Sequence, residues 1–363
     1  MEVTTIGIDL AKSVFAVCGA DARGKVVVRK QLRRAQLAGF MSQLKPCVVG
    51  MEACGGAHYW ARRFAAAGHT VRLMSPALVA PYRKGHKHDR NDAEAICEAV
   101  TRPTMRFVAV KSVAQQDLLA LHRVRAQLVK QRIALTNQIR AMLHERGMAI
   151  AKGAAGLKRG LAQALAADDD QFSGELRELV GELNGWLREF ERRIAGVAAR
   201  IARHFRDDER CARLAAVPGV GPLCATALVA TVGNAREFKS GRELSAYLGL
   251  VPRQHSSGGR TVLLGISKHG DRYLRTLFIH GARAALHGQR FAAHPRGRWA
   301  ARIMAARGPN VAAVALANKN VRIACALLRS GARYHSELAV VRPGPPAGDR
   351  RARVEPRLTL RRH

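Results

Sequence analysis

Apolar positions come in short alternating bursts over the first hundred residues and lengthen into helical repeats after that. Period-two alternation predicts strands over 3–9, 13–19 and 25–30, with Gly24 between the last two as a hairpin turn requires. Residues 35–44 read as a helix, Pro46–Met51 as a short buried strand, His58–Ala67 as a helix and Thr70–Met74 as another strand. Pro76 and Pro81 bracket a loop or short helix, a basic stretch runs from Arg83 to His88, and Asn91–Val100 reads as a helix. From 115 to 147, Leu121, Leu128, Leu135 and Met142 recur every seven residues, with Val124 and Ile139 between them. Residues 175–205 repeat the theme through Leu179, Leu183, Trp186, Phe190, Val197 and Ile201. Both suit paired helices with a coiled-coil seam, either an antiparallel dimerisation arm or ordinary bundle helices. The Ala/Gly-rich segment between them, 149–170, carries little pattern.

The opening order, β-β-β-α-β-α-β-α, predicts an α/β fold: an RNase H-like sheet with helices on its faces. A second compact region, mostly helical, runs over 211–330, and the Pro/Arg-rich stretch 341–363 reads as a disordered basic tail. The division expected is a metal-binding domain over 1–110, a helical connector over 111–208, a C-terminal domain over 209–335 and the tail over 336–363.

Charge sharpens this picture. Lys and Arg total 61 against 27 acids, a formal charge of +34, so the chain is built to hold polyanions. Aromatic content of 5% fits gripping of a backbone better than stacking on bases. The seven cysteines form no CxxC pair and read as bystander thiols rather than a zinc site. No unbroken apolar run reaches the ~18 residues of a membrane span, and no signal peptide is legible; a cytoplasmic, nucleoid-associated protein without a membrane partner is expected.

Against this basic background four acids stand out. Asp9 ends the run Thr5-Ile-Gly-Ile-Asp9, Glu52 ends Val48-Val-Gly-Met-Glu52, and Asp89 and Asp92 flank Arg90-Asn91. Carboxylates gathered in a basic protein would repel phosphate unless a divalent metal lay between them. Magnesium takes hard oxygen ligands, and two such ions would serve the attacking and leaving oxygens of a phosphoryl transfer; manganese is the expected substitute. Arg83, Lys84, Lys87 and Arg90 would grip the flanking phosphates. Glu94 and Glu98 read as solvated or charge-paired.

Farther on, Val217-Pro-Gly-Val-Gly-Pro222 before Ala225-Thr-Ala-Leu-Val229 predicts a helix-hairpin-helix, with Gly219 and Gly221 exposing backbone N–H groups to phosphate. Next comes Arg253-Gln-His-Ser-Ser-Gly-Gly-Arg260, where a serine in a glycine-flanked loop would be ringed by Arg253, Arg260, Lys268, Arg272 and Arg275. Such a serine is a weak nucleophile until nearby charge activates it. His255 reads as a surface residue or a proton acceptor.

These motifs resemble those of the insertion sequence 110 group of transposases, and most nearly its 1111 branch, the bridge-RNA-guided DEDD recombinases. The resemblance spans nearly the whole chain. It rests on Gly7-Ile-Asp9-Leu-Ala-Lys12, Met51-Glu52-Ala-Cys54-Gly, Lys87-His-Asp89-Arg-Asn-Asp92-Ala-Glu94, Val217-Pro-Gly-Val-Gly221, Tyr247-Leu-Gly-Leu-Val-Pro252, Ser257-Gly258 and Gly265-Ile-Ser-Lys268-His-Gly270. Where the family has Lys-Thr-Asp this chain has Lys87-His88-Asp89. The resemblance implies a RuvC-like N-terminal domain, a coiled-coil connector and a C-terminal transposase domain with a nucleophilic serine. It carries the metal-ligand role onto Asp9, Glu52, Asp89 and Asp92 and the nucleophile role onto Ser257, with adjacent Ser256 as the alternative. It also implies a structured guide RNA, DNA as substrate, and a dimer or dimer of dimers with composite sites. The competing readings are a RuvC-like junction resolvase that activates water, an actin-like sugar kinase that also begins Gly-Ile-Asp, and a non-catalytic DNA binder.

Overall fold

The computed structural model describes residues 2–86, 88–167 and 172–336. Lys87 and the expected basic tail from 337 onward lie outside the described residues. The chain divides into two compact units, Met1–Ala212 with Pro222–Ser240, and Arg213–Gly221 with the residues from Gly241 on.

The first unit opens with β1 (Thr5–Asp9), β2 (Val14–Ala20), β3 (Val26–Arg33), α1 (Arg34–Ser42), β4 (Val48–Glu52), α2 (Ala57–Ala66), β5 (Thr70–Met74), α3 (Pro76–Val79), α4 (Asp89–Ala99) and β6 (Phe107–Val108). The strands form one mixed sheet in the order β3-β2-β1-β4-β5-β6. β1, β2 and β3 are antiparallel, β4 and β5 run parallel to β1, and β6 pairs antiparallel with β5. The predicted elements are present with ends shifted by one to three residues; β6, two residues long, was not legible as a strand.

Alternation along the strands sorts their side chains onto two faces. Ile6, Ile8, Phe15, Val17, Val49 and Met51 point to one face and pack on Leu37 and Met41 of α1 and on Trp60, Ala61 and Phe64 of α2. Burying side chains of this size contributes roughly 1.5–3 kcal/mol each. The opposite face carries Thr5, Gly7 and Asp9 of β1, Ala16 and Cys18 of β2, and Val48, Gly50 and Glu52 of β4. Helix α4 covers it, with Ala93 and Cys97 on Ala16 and Cys18, and Ile96 and Val100 against Val48.

The contact is close because glycine stands under the helix. A Cβ on Gly7 would lie 2.4 Å from the Ala93 carbonyl oxygen and 2.4 Å from the Cys97 nitrogen, and one on Gly50 would meet Val100 at 2.9 Å. The helix runs antiparallel to β1. Cys97 Sγ donates to the Thr5 carbonyl at 3.8 Å, Ala93 lies over Gly7, and the N-terminal turn of α4 therefore extends toward the end of β1 that carries Asp9.

The unit continues with α5 (Val113–His144), α6 (Ala154–Ala166) and α7 (Gly174–Asp207); α8 (Glu209–Ala215) begins at its end, and α9 (Pro222–Val232) returns to it. α5 and α7 pack antiparallel: Leu118 and Leu121 meet Ile201, while Leu135, Ile139 and Leu143 meet Val180, Leu183 and Leu187. Of the predicted seam, Leu121, Leu135, Ile139, Leu183 and Ile201 are buried, Leu128, Met142, Phe190 and Val197 are half-buried, and Val124, Leu179 and Trp186 face solvent. Helix α6 was not predicted, because its buried stripe of Gly156, Leu157, Gly160, Leu161 and Ala164 is mostly too small to read as amphipathic. His122 is buried against α9, 3.0 Å from Thr226 Oγ1; burial, and then Arg125, pushes its pKa down to about 4.

The second unit holds α10 (Gly241–Tyr247), β7 (Pro252–Ser257), β8 (Arg260–Ile266), α11 (Arg272–Leu286), α12 (Gln289–Ala292), α13 (Pro295–Arg307) and α14 (Pro309–Ser330). α10, α11 and α13 pack around α14 through its small buried residues, among them Ala312, Ala313, Ala317 and Ala324. By length and composition α14 is apolar enough to cross a membrane, although Lys319 and Arg322 interrupt it; 56% of that stretch is buried within the fold.

Two outcomes follow from this packing. Gly7→Ala drives a methyl into the backbone of α4 and is expected to cost about 1–3 kcal/mol in denaturant unfolding; an unchanged midpoint would contradict the contact. For His122 the folded pKa lies below the unfolded value of 6.5. Unfolding takes up a proton between the two values, so stability is constant above pH ~6.5, falls as pH drops toward ~4, and levels off below, for at most about 3 kcal/mol. His122→Gln should flatten that slope, and a slope identical to wild type would show that His122 is not its source.

Candidate active site

Asp9 and Glu52 end neighbouring parallel strands. The register pairs Ile8 with Met51, so one step further Asp9 and Glu52 stand level, on the face covered by α4, about 5 Å apart at the backbone. Desolvation, then Glu52 and then Asp9, push the Cys54 thiol pKa up, so both carboxylates lie within electrostatic reach of one sulfur.

Helix α4 begins at Asp89, two residues earlier than predicted, because His88 caps it: the His88 Nδ1 accepts from the Arg90 backbone N–H at 3.2 Å. Asp89 and Asp92 thus share the first turn, where the helix dipole favours negative charge. The antiparallel course of α4 carries this turn toward Asp9. Glu94 and Glu98 are charge-paired as expected, Glu94 with Arg29 at 2.6 Å and Glu98 with Arg102 at 2.6 Å. Of the two upstream cations, Arg83 is half-buried, whereas Lys84 keeps a largely exposed side chain. Arg83 binds Asp92 at 3.2 Å and Lys84 lies 3.4 Å from Glu98. Arg90 stays exposed, and Lys87 lies outside the described residues.

Four carboxylates at one end of a sheet offer the hard oxygen donors that a magnesium-like dication prefers. As the side chains lie, no three His, Cys, Asp or Glu groups among the described residues stand close enough to chelate an ion. The set fits such an ion in donor type, and one of its members, Asp92, is paired with Arg83. All seven cysteines are free thiols, and of them only Cys54 is exposed.

Ser257 lies in the second unit. Its glycine-flanked segment is a β-hairpin rather than a loop: β7 and β8 pair antiparallel, Ser257 opposite Arg260, and Gly258 and Gly259 form the two-residue turn with φ of 54° and 77°. Sequence alternation missed it because both faces are exposed. The pairing puts Ser257, Arg260, His255 and Val262 on one face and Ser256, Thr261 and Gln254 on the other. Ser256 Oγ accepts from Gln254 Nε2 at 2.8 Å. The expected ring of cations does not form around the serine. Lys268, Arg272 and Arg275 follow the hairpin base, which at about 3.4 Å per residue lies roughly 17 Å along the strands from Ser257, and Arg253 is also near the base; Arg260 alone of the five is at the tip. Arg275 is buried and donates to the Leu248 and His269 carbonyls, both at 2.9 Å, locking Tyr247–Gly249 against the Lys268–Gly270 turn.

Gly219 is also structural rather than an open phosphate cradle. It has φ of 91°, and a Cβ there would stand 2.9 Å from the Gly281 carbonyl. Asn320 Nδ2 donates to the Pro218 carbonyl at 2.9 Å, and Arg296, fully buried, donates to Asn320 at 2.6 Å and to the Tyr334 hydroxyl at 2.8 Å. Gly221 is exposed at the start of α9. Nothing in the sequence marked Arg296 as buried; arginine almost always reads as surface.

Comparison with known proteins gives the family. Residues 6–147 match the transposase family DEDD_Tnp_IS110, and residues 211–295 match the family described as Transposase IS116/IS110/IS902. A probable family 20 transposase of Pseudomonas aeruginosa is 51% identical, covering 90% of this chain and 97% of its own. The transposase for insertion sequence element IS1111A of Coxiella burnetii is 43% identical over 90% of each chain. The transposase for insertion sequence element IS1328 of Yersinia enterocolitica is 39% identical over 91% of this chain and 98% of its own. The chain belongs to the IS110/IS116/IS902 family of insertion-sequence transposases, enzymes that cleave and transfer DNA strands.

Proposed function

We propose that this transposase cuts and rejoins DNA through a phosphoserine at Ser257, with magnesium held by Asp9, Glu52, Asp89 and Asp92 on an RNase H-like, RuvC-like domain. The observation that carries the reading is the level placement of Asp9 and Glu52 on the sheet face along which α4 delivers Asp89 and Asp92. Bound magnesium would neutralise the scissile phosphate and polarise it toward attack.

The chain's own residues supply the rest. The Ser257 oxygen forms a bond to phosphorus as the bond to the deoxyribose oxygen breaks, and its proton passes to a base. The phosphodiester energy is kept in the serine link. The hydroxyl of the exchanged strand then attacks that link, reseals the DNA and frees the serine, so no nucleotide cofactor is consumed. Arg260, directly across the hairpin, is the cation nearest in register to stabilise the crowded phosphate. Its shared face with Ser257, and the engagement of Ser256 by Gln254, favour Ser257 as nucleophile.

Two further parts belong to the proposal. A structured RNA from the same element pairs with donor and target DNA and supplies sequence choice, while the protein grips backbones; the charge of +34 and the low aromatic content support this. The working species is a homodimer or dimer of dimers in which carboxylates and serine come from different subunits, which suits their location in separate compact units.

With DNA carrying the element ends, its RNA and magnesium, wild type should form a covalent protein–DNA adduct at Ser257. Ser257→Ala should abolish adduct and strand exchange while DNA binding persists. Cleavage that continues in Ser257→Ala without any adduct would establish a water-activating nuclease instead. Asp9→Asn should slow cleavage about 10²–10³-fold, the scale for losing one preorganised charge-stabilising group; wild-type rates in that variant would remove Asp9 from the reaction.

A further inference from the structure

We propose that the cleft between α4 and strands β2 and β3 holds a phosphodiester of the strand entering the carboxylate end, gripped by Arg29 and Arg90. This rests on the reading of Asp9, Glu52, Asp89 and Asp92 as the reaction centre and adds a backbone subsite beside it. The cleft encloses about 130 Å³, floored by Ala16 and Cys18 and walled by Arg29, Gln31, Arg90 and Glu94. A water's share of liquid volume is ~30 Å³, so the space admits a phosphate group.

The cleft exists because of the same fit that seats α4. The helix sinks onto Gly7 and Gly50, while β2 offers only small side chains, Ala16 and Cys18, beside it. The pairing sets the cleft next to the carboxylates. Asp9 pairs with Ala16 and Ala16 with Gln31, so Glu52, Asp9, Ala16 and Gln31 stand in one row across the sheet; Gly7, Cys18 and Arg29 form the next.

Charge then selects this side of α4. A polyanion drawn to four carboxylates needs cations close by. On the other side, Arg83 is bound to Asp92, and Lys84, although exposed beside Glu98, does not line this cleft. On the cleft side, Arg29 gives Nε to Glu94 at 2.6 Å, which leaves its terminal amino groups for phosphate. With Glu94 balanced by Arg29, exposed Arg90 makes the cleft net positive.

The test measures binding without magnesium, so that no cleavage intervenes, using a short duplex DNA and an RNA hairpin as separate probes. Arg29→Ala should lower affinity about 3–10-fold for the strand held there and reduce the slope of log affinity against log salt by about 1. Arg29→Lys should restore most of the slope. Glu94→Gln breaks the same ion pair but frees Arg29, so it should tighten binding. A reduced slope with DNA alone or RNA alone identifies the strand and supports the cleft. Equal weakening by Arg29→Ala and Glu94→Gln would show a merely structural ion pair and overturn it. An unchanged slope in Arg29→Ala, with cleavage still crippled in Asp9→Asn, overturns the cleft and leaves the carboxylate centre standing.

Discussion

The contact on which the first unit turns is that of α4 with two glycines. Side chains normally hold a helix about 10 Å from a sheet, much as they space packed sheets. Gly7 removes that spacer and lets the backbone of α4 settle onto β1, while Gly50 makes room on β4 for the Ile96 and Val100 side chains. The helix therefore has one position and one direction over the sheet. Its antiparallel run takes Asp89 and Asp92 toward the ends of β1 and β4, where Asp9 and Glu52 are already level. Acid placement thus follows from the packing of glycines that stand two residues before Asp9 and Glu52.

The same constraint governs the electrostatics. Six acids crowd about α4 and the strand ends, and the chain answers with arginines: Arg83 on Asp92, Arg29 on Glu94, Arg102 on Glu98. An ion pair at such exposed sites contributes little stability. In the second unit the equivalent constraint is Arg275 with Gly249 and Gly270, which clamps the base of the hairpin and leaves its tip, with Ser257, projecting into solvent.

Much of this was legible in the sequence. Strand alternation located Asp9 and Glu52 at strand ends, and the Asp89/Asp92 spacing gave one helix face. What failed has physical reasons. The start of α4 was placed late because a histidine ring nitrogen caps it in place of the usual hydroxyl or carboxylate. The hairpin carrying Ser257 escaped because neither of its faces is buried, so its strands show no alternation. The neighbours of Arg83, Arg275 and Gly219 were not legible, since sequence records charge and flexibility but not the Asp92, carbonyl and Gly281 contacts that use them. Arg296 gave no signal at all, because a guanidinium that bonds Asn320 and a tyrosine leaves no carboxylate partner to find.

The central claim is that Asp9, Glu52, Asp89 and Asp92 form one cation site. Its most direct test is a crystal grown with manganese and its anomalous density. The account predicts a peak between the end of β1 and the first turn of α4, touching Asp9, with Arg83 turned away from Asp92. Manganese bound elsewhere, or absent from that end of the sheet at saturating concentration, would contradict it.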